Sequence, residues 1–183
     1  LGEMEMAAGR HEAALTWFTR AIEQFPQGPL VADCRFGTAR AKEELKHFGE
    51  AEAIYRELAD DEPCARRGEA EFRLGVVRYS LARYADAARS FAQHVTREPE
   101  SPHLVEARYW QARSESAQSN WTESIRILEE TVSLAASHRL APAIHFSLAE
   151  AHRHVGNIDA ATTHYGQVVE SWPNSAWGDD SLE

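Results

Sequence analysis

Ala14, Ala51, Ala87, Ser124 and Ala161 share one sequence context, and the steps between them are 37, 36, 37 and 37 residues. No other feature of the chain restricts its fold so strongly. A fixed period of about 20 to 50 residues marks units that cannot bury an apolar face alone and must stack on copies of themselves. Three residues before the anchors stand His11, Phe48, Tyr84, Trp121 and Ile158. Four after them stand Phe18, Tyr55, Phe91, Leu128 and Tyr165, and seven after stand Ala21, Leu58, His94, Thr131 and Val168. Offsets of three, four and seven place these residues on one stripe of an α-helix. A proline closes the stretch at Pro26, Pro63, Pro99 and Pro173.

Each period holds a first helical pattern ahead of the anchored one, clearest in the first-helix part of 69–87 and of 143–161. Only a short break separates the two, at Gly9-Arg10, Lys46-His47, Ala82-Arg83, Ser119-Asn120 and Gly156-Asn157. So short a break forces the helices antiparallel. Gly156 suits a C-terminal cap with positive φ, Asn157 a side-chain cap of the next helix, and Asn120 with Glu123 a capping box. Pro29, Pro102 and Pro142 fall near the starts of first helices, where the missing N–H costs nothing. Gly2, Gly37-Ala39, Gly75, Ala112 and Ala149 lie mid-way along the first helices, with Ala14, Ala51, Ala87 and Ala161 on the second. Residues this small let two helix axes approach to about 8 Å, with aromatic rings filling the wedge beside each crossing.

The order Leu-Gly, then Gly-x-aromatic-x-x-Ala, then aromatic-x-x-Ala and Pro resembles the tetratricopeptide repeat. Leu1-Gly2, Gly9, His11, Ala14, Phe18, Ala21 and Pro26 carry it, with His11 in place of the usual tyrosine. Leu74-Gly75, Tyr84, Ala87, Phe91 and Pro99 carry it again, as do Leu148-Ala149, Gly156, Ala161, Tyr165 and Pro173. It is weakest in the fourth unit, where Gln111, Ser119 and Ser124 replace leucine, glycine and alanine. The resemblance implies an all-α fold: a right-handed superhelical solenoid of antiparallel helix hairpins. The units are expected at 1–26 (partial), 29–63, 65–99, 102–137 and 140–173, with a sixth beginning at 175–183. Both ends are expected to be cut from a longer protein. The period, longer than the 34 residues usual for this repeat, and the phrases PESP and PNSA are similar to those of bacterial cell-envelope repeat proteins. They tilt the expected compartment toward the periplasm.

Composition narrows the function classes. A net charge of −10 argues against a phosphate-binding surface, because nucleic-acid binders need clustered positive charge. The apolar runs are too short to span a bilayer. Cys34 and Cys64 are two cysteines at offset places in successive units and are expected as free thiols. Phosphate-loop, dinucleotide, nucleophile-elbow and zinc-helix motifs are absent from the sequence. No two of the nine histidines stand three or four apart on one helix, so no metal is expected, and no cofactor. Glu129-Glu130 and Asp60-Asp61-Glu62 read as solvated faces.

What remains is surface. The family usually binds peptides in the concave groove lined by first helices. Phe36, Phe72, Tyr109 and Phe146 stand one per unit, 36, 37 and 37 apart, and the same helices carry Arg40, Val76, Tyr79, Arg113, Glu150 and Arg153. Aromatics and arginines are enriched in binding hot spots, but an aromatic repeated in phase also packs neighbouring units. Both readings of the ladder are open from sequence. The family's chaperone-binding members clamp a terminal carboxylate with lysines and asparagines. The matching rungs here are aromatic, so capture of a chaperone's acidic terminus is not expected. The expected function is a non-catalytic scaffold holding a protein or peptide segment. The alternatives are an architectural spacer, self-association through exposed array ends, or a sensor part of a larger signalling or envelope protein.

Overall fold

The computed structural model describes residues 1–177 and 181. Among them the regular elements are ten α-helices and no strand: α1 (Gly2–Ala7), α2 (His11–Gln24), α3 (Val31–Glu44), α4 (Phe48–Asp60), α5 (Arg67–Ser80), α6 (Tyr84–Arg97), α7 (Leu104–Ala117), α8 (Trp121–Val132), α9 (Ala141–His154) and α10 (Ile158–Ser171). The chain divides into two compact units, 1–90 and 91–183. In the first, each of α1 to α4 packs on the helix that follows it, and α1 also touches α3. In the second, α7 packs on α8, α8 on α9 and α9 on α10, and α7 also touches α9. Helices that meet their neighbours in sequence and the next helix but one make a helical solenoid, with a core that runs along the stack. The expected start of a sixth unit lies largely outside the described residues (178–180 and 182–183).

The hairpin turns show why so little chain suffices. Gly9, Lys46, Ala82, Ser119 and Gly156 all have positive φ, between 56° and 79°. In each turn that residue's N–H bonds the carbonyl three residues back, and the next N–H bonds the carbonyl five back, as in Ala82 to Tyr79 and Arg83 to Arg78. This is the Schellman closure, which satisfies the last carbonyls of the first helix. Only two of the five turns have glycine, although a Cβ in the left-handed region costs about 1–2 kcal/mol. Replacing Lys46, Ala82 and Ser119 with glycine together should therefore raise stability by about 1–3 kcal/mol once the entropy that glycine adds to the unfolded chain is taken off. Urea denaturation would check it, and an unchanged or lowered midpoint would refute it.

Asn157 caps α10 as its sequence suggests, its side-chain oxygen accepting from Ala160 N. Asn120 does not form a capping box. Its amide nitrogen donates to Glu115 Oε2 across the turn at 2.8 Å, and Glu123 is drawn instead to Arg126. The competing charges lie within one turn of helix, so they win over the backbone.

The small residues sit at the crossings. Ala14, Ala39, Ala51, Ala87, Ala112 and Ala149 are fully buried. Ser124, in the alanine position of the fourth unit, is equally buried and accepts a hydrogen bond at 2.8 Å from Ser116, which satisfies its hydroxyl. Cys34 and Cys64 are free thiols, both half-buried. Burial, with Asp33 beside it, pushes the Cys34 thiol up.

Candidate binding face of the first helices

In the first unit the ladder ring Phe36 is 3% exposed and Phe72 7%. Phe36 meets the buried Tyr55 ring of its own hairpin at 5.6 Å. From the start of α5 the Arg66 guanidinium lies over it at 5.3 Å, held by Asp33 Oδ1 at 2.6 Å and Glu69 Oε2 at 2.8 Å. In the second unit Tyr109 is 3% exposed, edge-on to Trp110. Phe146 is half-buried between Tyr165 of its own hairpin, at 5.7 Å, and Trp177 of the following turn, at 5.2 Å. Of the two readings of the ladder, the burial of Phe36, Phe72 and Tyr109 favours the packing one. Phe36 and Phe146 are covered by Arg66 and Trp177 of the segment that follows.

The open part of each first helix lies one and two turns further on. Arg40, Val76 and Tyr79 are half-buried in the first unit. Arg40 lies 3.5 Å from Glu3. Tyr79 meets Tyr84 edge-on at 5.2 Å. In the second unit Arg113 is half-buried over Tyr109 and Trp110, donating to the Tyr109 hydroxyl at 3.2 Å. Arg153 is exposed and donates to Glu150 at 2.7 Å, and Tyr165 donates to the same carboxylate. The Arg153 guanidinium, with Tyr165, holds the Glu150 carboxyl below the usual range. Burial and then the Glu150 charge push the Tyr165 phenol up to about 12. In the second unit Arg113 thus presents a guanidinium beside aromatic surface, a combination that can hold a carboxylate or carbonyl while burying a neighbouring side chain.

Away from this face, a cavity of about 310 Å³ opens between the end of α2 and the start of α3, lined by Phe25, Leu30, Val31 and Cys34 among others. Among the described residues no three His, Cys, Asp or Glu side chains are placed to hold one metal ion. No described helix is long and apolar enough to cross a membrane. Sequence spacing passed over two polar clusters. Glu43 is shared by the Tyr55 hydroxyl, at 2.9 Å, and Arg73, at 3.3 Å. His145, His152 and His164 meet across α9 and α10.

A sequence model of the tetratricopeptide repeat matches residues 1–60, and a second model of the same repeat matches 36–102 and 105–176. No curated protein sequence matches the chain significantly. Solved structures do. MamA from Desulfovibrio magneticus RS-1 is 16% identical, with TM-score 0.79 over 92% of this chain and 89% of its own. Nearly identical TPR-like repeats from Podosopora anserina are 16% identical, with TM-score 0.76 over 95% of this chain and 94% of their own. YrrB, described as a TPR protein with an unusual peptide-binding site, is 14% identical, with TM-score 0.75 over 99% of this chain and 88% of its own.

Proposed function

Because the chain belongs to the tetratricopeptide-repeat family, whose repeats mediate protein–protein interaction, we propose that it is a non-catalytic scaffold holding an extended segment of a protein partner against its first helices. One observation carries this reading. One turn past the ladder, Arg40 and Val76 in the first unit and Arg113 and Glu150 in the second stay half-buried, while Phe36, Phe72 and Tyr109 of the turn before are buried. Within each unit, two such residues one repeat apart suit a short extended segment. Val76 and Tyr79 offer apolar burial in the first unit. In the second, Arg113 offers a guanidinium already stacked on two rings, so holding it in place costs little further side-chain entropy. The peptide-binding site named for YrrB supports the same reading by likeness of fold.

The test is a random peptide library selected on the protein. Enriched peptides should shift backbone amide resonances around Arg40, Val76 and Tyr79 and around Arg113, Glu150 and Arg153. Val76→Asp combined with Arg113→Ala should weaken them by about tenfold or more, the loss of roughly 1.4 kcal/mol. A library that yields no binder, or shifts confined to α2, α4 and α8, would end the proposal.

A further inference from the structure

The three histidines between α9 and α10 have no part in the face described above. His145 and His152 lie seven residues apart on α9 and are 6% and 7% exposed. His164 comes from α10, with its Nδ1 3.1 Å from His145 Nδ1 and its ring stacked on His152 at a centroid distance of 5.7 Å. Trp172, just past α10, closes over His145 at 5.5 Å.

Two imidazole nitrogens at hydrogen-bond distance need one proton between them, so one Nδ1 donates and the other accepts. When both rings are protonated, both atoms carry hydrogen and no acceptor is left. The charges that face the trio are few. From α8, Glu129 Oε1 stands 3.8 Å from His152 Nε2. Its neighbour Glu130 is taken by Arg108 of α7 and by Arg126. On α7, Glu106 is held by His103 and Arg139, and Glu115 by Asn120. Also on α7, Arg113 lies over Tyr109 and Trp110. On α9 itself, Glu150 and Arg153 pair with each other, and His154 stacks on Trp121. On α10, Asp159 and Glu170 are exposed. One half-neutralising carboxylate therefore serves three imidazoles, and His152 Nδ1 is buried with no hydrogen-bond partner.

We infer that His145 and His164, with His152 stacked on His164, form an acid-sensitive latch: while neutral, the pair seats α10 on α9, and once protonated, it releases it. The direction follows from linkage. Burial lowers the affinity of His145 and of His164 for a proton; for His145 the charge of His164 lowers it further, and for His164 that of His152 does. The open hairpin thus binds more protons than the closed one. The latch holds above the free imidazole value of about 6.5 and weakens as the pH falls below it.

Hydrogen exchange resolved by peptide, corrected for intrinsic rates and run with a chelator present, tests this between pH 7.5 and 5. In the wild type the opening of α10 should stay level down to about pH 6.5 and below that rise by up to about tenfold per pH unit for each proton taken up, while α3 and α4 change little. In H145Q/H164Q that slope should vanish. If the double variant does not fold, the histidine C2-proton resonances of the wild type decide instead, and those of His145 and His164 should titrate below the free imidazole value. A flat exchange profile in the wild type, a full slope retained in the variant, or titration at or above the free value would overturn the latch.

Discussion

Tyr55→Ala should destabilise the first unit by about 3–5 kcal/mol, the usual range for deleting a buried aromatic ring. Tyr55 is completely buried. Its ring packs on Phe36 at 5.6 Å, and its hydroxyl donates to Glu43 Oε2 at 2.9 Å. The alanine variant leaves a ring-sized void where α3 and α4 meet and deprives a half-buried carboxylate of one donor. Tyr55→Phe separates the two losses. It keeps the ring, and Glu43 retains Arg73 at 3.3 Å, so only about 1 kcal/mol should go with the hydrogen bond. Urea unfolding of both variants gives the comparison. Near-equal losses would mean that the hydroxyl network, rather than the ring, ties the hairpin together. The phenol adds a pH signature. Burial, with the Glu43 charge next, raises it well above the ordinary tyrosine range. Its stabilising share is complete below about pH 10 and is lost as the pH rises further, because only the unfolded chain releases that proton readily. The phenylalanine variant should lack this alkaline loss.

The repeat was legible because it rests on local rules. Alternation of three and four, a two-residue break and a small residue at each crossing are all written in consecutive residues, and each dictates geometry within one hairpin. The left-handed turn was legible at Gly156 and hidden at Lys46, Ala82 and Ser119, where the Schellman bonds impose the conformation on residues that do not favour it. The site was less legible. Spacing could place Phe36, Phe72, Tyr109 and Phe146 in one row but could not say what covers them. For Phe36 and Phe146 the cover comes from Arg66 and Trp177, about thirty residues further along the chain. The histidine cluster escaped for a related reason. A search at three and four misses the interval of seven that aligns His145 with His152, and no single-helix rule brings His164 to them. The capping box at Asn120 failed where two charged side chains competed for the same short turn.

Gly37→Ala should lower stability even though alanine is the better helix former. A Cβ built on Gly37 would lie 2.5 Å from Phe18 Cζ and 2.7 Å from both Cε atoms, closer than real side chains come. Gly2 presses on the same ring, where a Cβ would meet Phe18 Cε1 at 2.6 Å. Phe18, 6% exposed, is therefore wedged between two helices that meet it with bare backbone, and it has no free side to move toward. Overpacking of this kind costs about 1–3 kcal/mol. The gain in helix propensity returns up to about 1 kcal/mol, so the net loss understates the clash. A double-mutant cycle recovers it. In a Phe18→Leu background the shorter side chain leaves room for the methyl group, and Gly37→Ala should become neutral or stabilising. The coupling between the two substitutions should then reach about 1–3 kcal/mol. Additive effects would show that the ring and the glycine do not share one contact. The close approach of α2 and α3 would then need a cause other than the absence of a side chain at position 37.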